Sequence, residues 1–111
     1  MIHKPLGQLL GLCQRAGKLA SGDLAAEQAL KKRKADLLIL AEDASERTQE
    51  KFLYLAHQTG VRVYRVGTRD ELGAVLGKAH RAAVVIQSRD FTNGIVKLLE
   101  QEGLTPVSAR G

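Results

Sequence analysis

The 111-residue chain has no Trp, only two Phe and two Tyr, two Pro and a single Cys. A single-strand binder that holds successive bases on aromatic platforms needs more rings than that, so this mode of nucleic-acid binding is excluded. Scarce Pro alongside 44% hydrophobic residues excludes a disordered polypeptide. Cys13, being alone, can form no internal disulfide and fits a reducing cytoplasm. His3, His57 and His80 stand far apart and lack metal-ligand spacing, so no metal site is expected. No apolar run approaches the roughly 18–20 residues that span a bilayer. Lys4, Arg15 and Lys18 interrupt any signal-peptide-like core in the first 20 residues. Secreted, membrane and zinc-binding classes are set aside. A chain of this length buries about two-thirds of its unfolded surface, enough for one domain without staples.

Charge is unevenly distributed. The net charge is +5, with 17 Lys and Arg against 12 Asp and Glu. Residues 1–34 hold Lys4, Arg15, Lys18, Lys31, Lys32, Arg33 and Lys34 against only Asp23 and Glu27, which accounts for the whole excess. The remaining residues balance. Such asymmetry predicts a polyanionic partner, because Lys and Arg at phosphates release condensed counterions.

Hydrophobic spacing predicts alternating elements. Leu6, Leu9, Leu10 and Cys13 recur at helical intervals, with Gly17 as the stop. After a short extended stretch (18–21), Gly22 opens a second helix with Leu24, Ala25, Ala29 and Leu30 as its expected buried side. Leu37 to Ala41 reads as a strand covered on both faces. Asp43 and Glu46 read as a capping box for a third helix, whose buried side is Phe52, Leu55, Ala56 and Thr59 and whose stop is Gly60. A strand over 61–66, a helix capped by Thr68 and Glu71, a strand over 82–86 and a closing helix through Phe91, Ile95, Leu98 and Leu99 complete the order. Residues 1–103 form the expected domain, and 104–111 read as a fraying tail. Alternation of this kind means an α/β fold with helices on both faces of a central sheet.

No catalytic centre assembles from these residues. Glu42 and Asp43 are adjacent carboxylates, but Asp43 is expected at a helix cap and Glu42 in solvent. Cys13 falls on an apolar helix face, where a free thiol is a small core side chain. Ser21, Ser45 and His80 lack a nucleophilic context, and no glycine-rich nucleotide fingerprint occurs, so neither enzyme nor cofactor is expected. Binding signals are stronger. Lys31, Lys32, Arg33 and Lys34 end the second helix, and four consecutive cations exceed what a helix dipole needs. Gly22, at the opposite end, allows close backbone approach and leaves N–H groups for an anion.

The stretches LGLCQRAGKLASG (10–22), LLILAEDAS (37–45), TGVRVYRV (59–66) and RDELGAVLGKAHRAAVVI (69–86) resemble one family. It is the kink-turn-binding ribosomal-protein superfamily, and more narrowly its small bacterial YlxQ-type branch. The resemblance runs over about residues 6–100. It implies a three-layer αβα sandwich with a four-stranded mixed sheet, and RNA binding without catalysis. In such proteins the start of the second helix enters the RNA beside sheared G·A pairs. Here those positions are Gly22, Leu24, Ala25 and Gln28, with Asp23 among them. Leu24 and Ala25 have no polar group for a guanine edge, where a good bidentate pair gives about 1–3 kcal/mol of discrimination. The turn of Asp43 and Ser45, and the loop of Ala79, His80, Arg81, Ala82 and Ala83, match positions that cradle an extruded base.

The resulting expectation is a monomeric cytoplasmic protein that binds structured, ribosomal-type RNA, with ribosomal proteins as further partners. Lys18 and Lys31 to Lys34 grip backbone, and Gly22 and Gln28 lie nearest the bases. Phosphate contacts position while base contacts specify, so strong salt sensitivity and modest selectivity follow. The basic run and the glycine-opened helix are expected to form one continuous cradle. The competing reading is a protein–protein adaptor on the same scaffold, favoured by an exposed apolar patch around Leu24 and the 79–83 loop.

Overall fold

The computed structural model describes residues 1–107. Helices α1 (Lys4–Arg15), α2 (Asp23–Lys31), α3 (Glu46–Thr59), α4 (Arg69–Val75) and α5 (Arg89–Gln101) alternate with strands β1 (Leu19–Ser21), β2 (Leu37–Leu40), β3 (Arg62–Arg65) and β4 (Ala83–Ile86). This is the predicted order, with strand ends trimmed: Ala41, Val61, Val66 and Ala82 fall outside the ladders.

The strand order is β1-β4-β2-β3. Strand β4 runs antiparallel to β1 and β2, while β2 and β3 are parallel. Successive side chains of a strand point to opposite faces, and both faces are covered here. Leu37, Ile39, Tyr64, Val84 and Ile86 meet Leu6 and Leu10 of α1, Leu72 of α4, and Ile95 and Leu99 of α5. Leu38, Leu40, Val63 and Val85 meet Ala26 and Leu30 of α2, and Phe52 and Ala56 of α3. The result is a three-layer αβα sandwich on a mixed sheet. Every residue of β2 and β4 is buried, the physical reason both read as unbroken apolar runs.

Three expectations change at this level. The buried residues of α2 are Ala26, Ala29 and Leu30, whereas Leu24 and Ala25 face outward. At 3.6 residues per turn Leu24 stands about 200° around the helix from Ala26, so both cannot meet the sheet. Ser45, not Asp43, caps α3: its Oγ accepts from the Thr48 N–H at 3.1 Å. Asp43 is claimed by a more distant partner, its Oδ1 accepting from the Arg69 N–H at 2.8 Å. Finally, the segment after α5 is fastened rather than frayed over 104–107. Leu104 packs against the core, and the Val107 N–H donates to the Val63 carbonyl at 2.7 Å on the edge strand. The rest of the expected tail, 108–111, lies outside the described residues.

The Thr68–Glu71 capping box forms in full, with Thr68 Oγ1 accepting from the Glu71 N–H at 3.1 Å and Glu71 Oε1 from the Thr68 N–H at 2.9 Å. The registers Ser21↔Val84, Leu40↔Ala83 and Leu40↔Arg65 put the ends of β1, β2 and β3 at the edge where β4 begins. The starts of α2, α3 and α4 therefore gather at one end of the sheet.

Candidate nucleic-acid interface

That end carries a cleft of about 260 Å³. Gly22 and Asp23 line it from the start of α2, Ser45 and Thr48 from the start of α3, Arg69 from α4, and His80, Arg81 and Ala82 from the loop before β4. Gly22 is the N-cap of α2, at φ 97° and ψ 159°. That conformation is essentially reserved for glycine. It places no side-chain cap over the first-turn N–H groups of α2, which remain available to an anion. The Gly22 N–H itself donates to the Ala83 carbonyl at 3.0 Å, tying the helix start to β4.

Arg81 closes one side. Its Nε donates to Ser21 Oγ at 3.2 Å and its Nη1 to the His80 carbonyl at 2.9 Å, which fixes the guanidinium beside Gly22. The loop beneath it is held by backbone. The Arg81 N–H donates to the Arg69 carbonyl at 3.0 Å, and the Ala41 N–H to the Ala82 carbonyl at 2.9 Å. Two guanidinium groups, a histidine and three helix starts thus surround a recess sized for a small planar or phosphate-bearing group.

Not every predicted residue lines the cleft. Asp43 is used in joining the β2–α3 connection to α4, with Oδ2 lying 3.7 Å from Arg69 Nε. Ala79 contributes its carbonyl to the packing of α4, and Ala83 is a fully buried residue of β4. Thr48 and Arg69, which do line it, escaped the sequence reading. The one local signal was that each lies within three residues of a helix cap. Cys13 stays in the core as expected: burial pushes its thiol up to about 11, and its Sγ donates to the Lys18 carbonyl at 3.1 Å.

The single continuous cradle is not what forms. Lys18 accepts from the Gln87 N–H at its carbonyl, just beyond the Leu19↔Ile86 pair, and the Asp36 N–H donates to the Ile86 carbonyl. Lys18 and the 31–34 run therefore sit at the end of the sheet opposite the cleft. Helix α2, nine residues or about 13 Å long, separates the two groups. Its exposed side, carrying Leu24, Ala25 and Gln28, connects them.

These features can be set beside known proteins. Residues 4–96 match the Ribosomal protein L7Ae/L30e/S12e/Gadd45 family. The chain is also 34% identical over 92 residues to the RNA-binding protein YlxQ of Bacillus subtilis (strain 168), covering 83% of this chain and 92% of that protein. A solved structure, described as a protein with unknown function from Bacillus halodurans C, superposes with a TM-score of 0.82 at 28% identity, covering 88% of this chain and 99% of that one. The chain belongs to the Ribosomal protein L7Ae/L30e/S12e/Gadd45 family, and on its YlxQ-like branch. No helix among the described residues is long and apolar enough to cross a membrane.

Proposed function

We propose that this protein binds structured RNA, with a ribosomal RNA as the natural ligand in the cytoplasm, and acts there as a monomer without a cofactor. The observation that carries the reading is the uncapped start of α2 at Gly22, set beside the fixed Arg81 guanidinium in a cleft. Backbone phosphates of the RNA meet the α2 N–H groups, Arg69 and Arg81, and an extruded base enters between Ser45 and the 80–82 loop. Gln28, one further turn along α2 from Leu24, lines a separate groove with Lys32 and Lys34 rather than the cleft. Leu24 is 70% exposed beside the cleft and supports contact with ribose or a base face rather than reading of a base edge. The excess cations of residues 1–34, which include Lys18 and the 31–34 run at the opposite end of the sheet, add a general positive field that attracts a polyanion to the molecule.

The adaptor reading draws on the same Leu24, yet the cleft beside it is lined by Asp23, Ser45, Thr48, Arg69, His80 and Arg81. A polar, cationic recess suits phosphate better than a protein's apolar anchor.

The test is a titration with an RNA containing a kink-turn and with the same duplex lacking the internal loop, each at two salt concentrations. Binding that weakens steeply with salt, with a modest preference for the kinked RNA, is expected. No binding at low salt, or an affinity indifferent to salt, overturns the proposal.

A further inference from the structure

The four cations ending α2 do not form one patch, and the way the helix ends is the reason. Arg33 has φ 57°, while every other residue with positive φ among those described is Gly. The Arg33 N–H donates to the Leu30 carbonyl at 3.1 Å and the Lys34 N–H to the Ala29 carbonyl at 2.9 Å. These are the paired bonds of a Schellman ending, with Arg where Gly normally stands. The left-handed turn sorts the side chains alternately. Lys32 and Lys34 line a groove of about 200 Å³ with Gln28 and Gln87, against β1. Lys31 and Arg33 line a separate recess beside His57 and Gln58 of α3.

The two pairs differ in that Lys31 is engaged by a carboxylate, whereas its neighbour Arg33 is in no ion pair among the described residues. Lys31 Nζ lies 2.7 Å from a Glu27 carboxylate that Lys51 also holds at 2.6 Å. Lys32 and Lys34 have no carboxylate at ion-pair distance among the described residues. Their groove runs along β1 and α2 toward the cleft without sharing a lining residue with it. Ala20 lines the groove, and its neighbour Ser21 accepts from Arg81. Ala25, one turn from Gly22, belongs to the groove as well.

We infer that the Lys32–Lys34 groove is a second phosphate site for the same RNA, holding the backbone of the duplex stem that adjoins the part entering the cleft. The inference rests on the RNA-binding reading above. Two free ammonium groups with two amides, and no ring to stack a base, can grip a backbone but cannot read sequence. A straight helix about 13 Å long between the two sites suits a stem lying along α2.

The experiment uses the full chain and the kink-turn RNA, intact or with each flanking stem in turn cut back to the pairs adjoining the loop. Wild-type protein is expected to lose about tenfold in affinity when one particular stem is shortened and little when the other is. Lys32→Gln with Lys34→Gln should bind both forms equally weakly, and its salt slope should fall by about one per lysine. Lys31→Gln with Arg33→Gln changes net charge by the same amount and should keep the stem dependence. If the two double variants behave alike, only the general field acts and the second site is refuted. If wild-type affinity ignores both stems while still exceeding that for the loopless duplex, the groove is refuted and the cleft stands. Should the wild type bind no RNA, both readings fall together.

Discussion

The Ala79 carbonyl oxygen occupies the space over Gly73 where a side chain would begin: a Cβ built there would stand 1.5 Å from it. The loop leading to Arg81 therefore lies directly on the backbone of α4, and that approach fixes the depth of the cleft. Gly73→Ala must push the loop away. Overpacking of this kind costs about 3 kcal/mol. Denaturant unfolding should show that loss, and RNA affinity measured under folding conditions should fall with it, because His80 and Arg81 move with Ala79.

The caps around the cleft make a second, opposed pair. Ser45→Ala removes the acceptor for the Thr48 N–H and should destabilise the protein by about 1 kcal/mol in chemical denaturation. Asp43→Ala removes the acceptor for the Arg69 N–H instead. It should leave hydrogen-exchange protection in the first turn of α3 unchanged while lowering it at Arg69. Loss of protection at Thr48 in the Asp43 variant would restore the capping role that the sequence implied.

Acid stability should depend on Glu27. The hydrogen bonds from Lys31 and then Lys51 lower its carboxyl from 4.5 to about 2. A depressed folded-state value contributes stability that is present above the unfolded value and lost as pH falls through the folded one. The window is therefore pH 4.5 down to about 2. Glu27→Gln should flatten the decline in unfolding free energy across that window and leave the slope at higher pH unaltered.

Arg33 offers a substitution that improves the fold. At φ 57° a side chain is strained, and Arg33→Gly should raise the denaturation midpoint by an amount worth about 0.5–1 kcal/mol. Because Lys32 and Lys34 stay in place, the dependence of RNA binding on stem length should persist in this variant.

Much of the scaffold was legible residue by residue. The Thr68–Glu71 box and the LLIL and AVVI runs depend on neighbours within a few positions, and they form as their patterns imply. The failures have a common cause. Asp43 reads locally as a cap but bonds to Arg69, 26 positions away. Ser21 gives no signal in the chain, yet it anchors Arg81 from 60 positions off. Leu24 looks like a core residue by type and spacing, but the sheet chose Ala26.

Composition and local spacing alone determined an α/β chain with its cationic excess in the first third, since charge counts and helical periods need no third dimension. Which cations stand together was decided only when β4 inserted between β1 and β2. That pairing sends Gly22 and Arg81 to one end of the sheet and Lys18, Lys32 and Lys34 to the other. Strand order reflects the joint burial of both sheet faces, a sum over distant contacts that no short stretch of residues encodes.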